Sequence, residues 1–79
     1  MRRLTFPPAP SYDADAIRAI RHTYGWSQAD FADALNVSLG SVRHWEQGIR
    51  VPDGGNLRLL EIAERMPDAL RIVANARND

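Results

Sequence analysis

The sequence predicts an all-α fold of five short helices, on three observations. Helix-capping side chains recur along the chain at intervals of about one short helix. Apolar residues flank three of those caps at one fixed spacing. No stretch alternates apolar and polar residues with the period of two that marks a half-buried strand. At 79 residues the chain makes one domain. A chain of this size buries only about 60–65% of its unfolded surface, so its stability is expected to be modest unless it pairs with another copy.

Residues 1–12 hold Pro7, Pro8 and Pro10 with Arg2 and Arg3 and read as an extended, Pro-rich arm, while residues 13–79 form the domain proper. Asp13 caps a first helix running to Tyr24, with Ile17, Ile20 and Tyr24 on one face and Gly25 as its stop. Ser27 caps a second over 28–35, where Asp30 lies near the positive end of the helix dipole. Ser38 caps a third over 39–47, closed by Gly48. Asp53 caps a fourth that reaches Arg65, and Pro67 fits the first turn of a fifth ending near Arg77. Tyr12 with Ile17, Trp26 with Phe31 and Val37 with Val42 each set one apolar residue before a cap and another four residues after it. This is hydrophobic-staple spacing, which specifies locally the angle at which the chain enters each helix.

Only Asn36, Val37 and Ser38 separate the second and third helices. So short a connection sets two helices at a steep angle, and Gln28 to Glu46 therefore reads as a helix-turn-helix. Ala32 is small where the two must approach, and Asn36 stands where the turn needs left-handed backbone, which asparagine tolerates. Val37, Val42 and Trp45 supply apolar contacts.

Composition limits what such a module does. Hydrophobic residues are 44% and charged residues 25%, the range of a globular domain rather than a disordered chain. Without cysteine there is no disulfide or thiolate metal site, and His22 and His44 with scattered aspartates lack metal-ligand spacing, so no metal or other cofactor is expected. No nucleophile–base set appears, and Gly54-Gly55 lacks the rest of a phosphate-binding loop, so an enzyme is not expected. Neither a membrane span nor a signal peptide is legible, which makes the cytoplasm the expected location. Formal net charge is zero, yet all ten cations are arginine, which forks onto phosphates and guanine edges. A GC-rich genome accounts for an all-arginine set equally well.

The motifs Ile17-Arg18-x-Ile20-Arg21, Gly25-Trp26-Ser27-Gln28, Phe31-Ala32, Leu35-Asn36-Val37-Ser38 and Trp45-Glu46-Gln47-Gly48-x-Arg50-x-Pro52 resemble the Cro-repressor/Xre family over residues 13–66. Trp45-Glu46-Gln47-Gly48 with Leu59-Leu60 and Met66-Pro67-Asp68-Ala69-Leu70 is similar, more narrowly, to antitoxins of HigA and MqsA type. Asn36 departs from the family's usual glycine at the turn, and Gly40 from its usual longer polar side chain. The resemblance implies a lambda-repressor-like domain that binds double-stranded operator DNA through its third helix. It places Ser38, Leu39, Gly40, Ser41, Arg43 and His44 toward DNA, Gln28 and Arg50 on phosphates, and Arg21 with Glu46 in a structural ion pair. Arg43 has the fork for guanine, and Gly40 serves either close approach to DNA or tight helix packing.

The remaining arginines, Arg18, Arg58, Arg65, Arg71 and Arg77, read as solvated faces or ion-pair partners, His22 as a surface residue, and Trp26 and Trp45 as core. Leu70, Ile72, Val73 and Ala76 exceed what one small core needs and are expected to form a homodimer interface on the last helix, with Leu59 or Ile62 nearby. The expectation is an autoregulating repressor and antitoxin, whose partner the resemblance implies is a HigB/RelE-like ribonuclease toxin. The arm is a candidate for that partner or for DNA contacts through Arg2 and Arg3. A stand-alone or phage-type regulator, or an interaction module that has lost DNA binding, are the other readings.

Overall fold

A computed structural model describes residues 4–76, with side chains as far as Ala74. Five helices follow in order: α1 Ala14–Tyr24, α2 Gln28–Leu35, α3 Leu39–Glu46, α4 Gly54–Arg65 and α5 Asp68–Ala76, and the described residues contain no strand. Each of the first four begins at a side chain that takes an orphan backbone N–H. Asp13 accepts from Ala16 at 2.8 Å, Ser27 from Asp30 at 3.0 Å, Ser38 from Ser41 at 3.0 Å and Asp53 from Asn56 at 2.9 Å. The Asp30 carboxylate in turn accepts from the Ser27 N–H, so α2 opens on a full capping box. Pro67 immediately precedes α5 rather than lying in its first turn, and α3 stops at Glu46 with Gln47 as its cap.

The turn between α2 and α3 follows from one backbone conformation. Asn36 is left-handed at φ 59°, ψ 46°. Its N–H reaches Asp33 at 3.1 Å and the next one, of Val37, reaches back to Ala32 at 3.0 Å. This pair of bonds satisfies carbonyls at the helix end and redirects the chain into α3.

α3 packs on α2 and α1, α4 on α1, and α5 on α4 and α2. Phe31, Ile17, Leu60 and Val42 are the largest fully buried side chains, surrounded by Tyr12, Ile20, Tyr24, Leu35 and Trp45. Trp26 stacks on Tyr24 with ring centroids 4.5 Å apart and is half-buried, packed against the core rather than inside it. Tyr24 also donates to the Ala63 carbonyl at 2.6 Å, tying α1 to α4.

Two expectations need correction. Leu70 faces inward, because α5 packs on α4 and α2 and its Leu70 side completes the core of the single chain. Ile72 and Val73 are exposed as a dimer surface requires, whereas the Ala76 side chain lies outside the described residues. Tyr12, assigned to the arm, is buried and donates to Glu64 on α4 at 2.8 Å; burial and that bond push its phenol up to about 12. Residues 4–11 are non-helical as expected, and Phe6 and Pro7 lie beside α4, where Arg58 donates to the Pro7 carbonyl at 2.6 Å. Arg2, Arg3 and Arg77 lie outside the described residues.

Left-handed backbone costs an ordinary residue about 1–2 kcal/mol. Asn36→Val is therefore expected to lower stability in urea unfolding by about that amount, while Asn36→Gly is expected to be neutral or slightly stabilising.

Candidate nucleic-acid interface

α3 has only two turns, and its sequence divides them cleanly. Val42, Trp45 and Glu46 face inward and are buried. Gly40, Arg43, His44 and Gln47 stand three and four residues apart, so they fall on the opposite strip. Gly40, Arg43 and Gln47 are exposed and His44 is half-buried. Gln47 was not singled out from the sequence, although its spacing from Gly40 and Arg43 was a readable signal.

At the N-terminal end, Ser38 is exposed and its hydroxyl is occupied twice, by the Ser41 N–H and by the Ser41 hydroxyl at 2.9 Å. Ser41 is half-buried, and Leu39 packs partly against the core, which makes it a poor candidate for base contact. A Cβ on Gly40 would meet nothing closer than the Ser38 Oγ at 3.8 Å. Tight helix packing within the chain therefore does not require this glycine.

Behind the outward strip lies a buried charge. The Glu46 side chain is 2% exposed. Arg21 grips it with two prongs, Nε to Oε2 at 2.8 Å and Nη2 to Oε1 at 2.9 Å, and its Nη1 donates to the Trp26 carbonyl at 2.9 Å. Gln28 Nε2 donates to Glu46 Oε1 at 3.1 Å. An ionised carboxylate only accepts, so this contact fixes which way the Gln28 amide points. Gln28, expected to hold a phosphate, thus has one N–H already committed inward and is half-buried.

Burial pushes the Glu46 carboxyl up, but the bonds from Arg21 and Gln28, with the charges of Arg21 and Arg18, outweigh it and hold the group below its ordinary value. The same pairing raises Arg21 against the opposing effect of its own burial. The expected ion pair is present, with a third partner that the sequence did not disclose.

The arginines sort by their partners. Arg18, Arg21, Arg58, Arg65 and Arg71 each pair with an aspartate or glutamate. Arg43 and Arg50 have no acidic partner among the described residues, and both are exposed, one on the outward strip of α3 and one in the loop just beyond it. Among the described residues of this chain of zero formal charge, the arginines without an acidic partner thus both lie on or beside one helix face. Among the described residues no His, Asp or Glu cluster could hold a metal, and no helix is long and apolar enough to cross a membrane.

A helix-turn-helix family model matches residues 17–63, from the middle of α1 to near the end of α4. The chain is also 37% identical over 60 residues to Antitoxin HigA-2 of Vibrio cholerae serotype O1, an alignment covering 76% of this chain and 58% of that protein. It therefore spans less than two thirds of the relative's length.

Because a side chain fits at residue 40, Gly40→Ala is expected to raise stability, by up to roughly 1 kcal/mol from helix propensity alone. Thermal or urea unfolding of the variant checks this; destabilisation would mean that the fold itself requires the glycine.

Proposed function

The chain belongs to the helix-turn-helix family, of the Cro/Xre kind that its sequence resembles, and from that premise we propose that it is a sequence-specific DNA-binding repressor. The observation that best supports this is the pair of acid-free arginines, Arg43 and Arg50, set on and beside the exposed strip of α3. In this reading α3 lies in the major groove. Arg43 takes guanine O6 and N7, a contact worth about 1–3 kcal/mol of discrimination, and His44 and Gln47 read neighbouring edges. Gly40 lets the backbone come close to the bases. Arg50 and the free N–H of Gln28 bond phosphates, with Ser38 and Ser41 at the rim of the groove.

One module reads few base pairs, so the repressor acts as a homodimer on a palindromic operator with half-sites about 34 Å apart. Ile72 and Val73, 64% and 54% exposed on α5, supply the apolar surface for that pairing. The likeness to Antitoxin HigA-2 supports an antitoxin that represses its own operon. Its partner would be a ribonuclease toxin of HigB/RelE-like type. Leu4 and Phe6, exposed on the arm that lies beside α4 at Phe6 and Pro7, offer such a partner a surface separate from α3, which packs on α2 and α1.

The test is a binding titration on duplex DNA from upstream of the gene, against a scrambled duplex, at several salt concentrations. Preference for the upstream duplex with a steep salt dependence is expected. Arg43→Ala should relax that preference by about 1–3 kcal/mol, whereas Arg50→Ala should weaken both duplexes alike and reduce the salt slope by about one. Sedimentation of the complex should give two chains per duplex. Equal binding to both duplexes would remove sequence-specific repression, and one chain per duplex would remove the homodimer.

A further inference from the structure

The last turn of α3 leaves one main-chain acceptor over. In a helix that ran on, the N–H of Arg50 would reach the carbonyl of Glu46. Here Gly48 is left-handed at φ 75° and the chain folds back. The N–H groups of Gln47 and Gly48 go to Arg43 and Trp45, and those of Ile49 and Arg50 both go to His44, at 2.9 and 3.3 Å. The loop gives the Glu46 carbonyl no N–H. Arg18 Nη1, reaching across from α1, donates to it instead, while Arg18 Nη2 is held by Asp15 one turn back on α1.

We propose that Arg18 is a positioning residue for base recognition, capping the carbonyl end of α3 from α1 without touching DNA. The inference rests on α3 being the recognition helix. Arg21 holds the side chain of Glu46 and Arg18 holds its main chain, so the end of α3 that carries Arg43, His44 and Gln47 is fixed to α1 at two independent points. A cation at the C-terminal end also complements the helix dipole. Both terminal nitrogens of Arg18 are engaged within the protein, which ties the guanidinium to Asp15 and to the Glu46 carbonyl.

The full chain, Arg18→Ala and Arg18→Lys are compared by amide hydrogen exchange without DNA. Their affinities are also measured for a duplex selected by the wild type from a randomised pool and for a scrambled duplex, over a range of salt. In Arg18→Ala, the amides of Gln47, Gly48 and Ile49 are expected to exchange faster while those of α4 do not change. Binding to the selected duplex should fall roughly two- to fivefold, the scale of a charge at a helix end. Affinity for the scrambled duplex and the salt slope should stay as they were, and Arg18→Lys, which keeps one donor, should recover most of the loss. Equal weakening on both duplexes with a slope reduced by about one would make Arg18 a phosphate contact and overturn the proposal. Unchanged exchange at the end of α3 would overturn it as well. Should Arg18→Ala fail to fold, Arg18→Lys carries the test: a small loss confined to the selected duplex supports the proposal, and a loss on both overturns it. A wild type that selects no duplex defeats the DNA-binding reading, while the exchange comparison still decides the clamp.

Discussion

The carboxylate of Glu46 is buried in a domain with little core to spare, and the orientation of α3 follows from how that charge is held. Burying a carboxylate costs several kcal/mol unless donors surround it. Arg21 on α1 supplies two and Gln28 at the start of α2 supplies a third. Because the carboxylate belongs to α3, meeting its needs brings all three helices to one point. Removing either charged partner would leave the other buried alone, a loss of about 3–5 kcal/mol in a fold of this kind. At eight residues, α3 is too short to persist as an isolated helix, so its shape comes from these contacts and from Val42 and Trp45 beneath it.

The inward charge and the outward face are complementary. α3 turns one side to the core and the Arg21–Glu46–Gln28 cluster, which leaves Gly40, Arg43, His44 and Gln47 free of internal duties except for packing at the edge of His44. Elsewhere the described arginines are matched to acids: Arg58 and Arg65 share Glu61 on α4, and Arg71 pairs with Asp68 while its guanidinium lies over the Tyr24 ring at 4.8 Å. Neutral net charge therefore does not argue against a polyanionic partner. Ten arginines balance ten acids in the sum, while Arg43 and Arg50 are left without acidic partners among the described residues.

Much of this was legible in the sequence because it is local. Caps at Asp13, Ser27, Ser38 and Asp53, the left-handed Asn36 and the stops at Gly25 and Gly48 depend on a few neighbouring residues, and the structure places them where spacing put them. The inward strip of α3 was readable for the same reason. What spacing could not disclose depends on distant residues meeting. Leu70 looked surplus because its place in the core exists only once α5 lies on α4 and α2. Gln28 looked free because its partner is 18 residues away, and Arg18, read as a solvated or ion-pairing residue, does pair with Asp15 but also meets a main-chain carbonyl 28 residues away. The Arg21–Glu46 pair was expected only through family resemblance; no local rule contains it.

A carbon-13 NMR titration of the Glu46 side-chain carboxyl in the intact chain tests this arrangement most directly. With the folded group held below its ordinary value, the pair's contribution to stability is complete above the unfolded carboxyl value, about 4.3, and is lost as pH falls through the folded one. The expected midpoint is therefore below that of an ordinary glutamate, with the amide resonances of α3, the Arg21 guanidinium and the Gln28 side chain moving together as the proton binds. A midpoint at or above the ordinary value, or a titration that leaves α3 unmoved, would contradict the dependence of the helix on this charge.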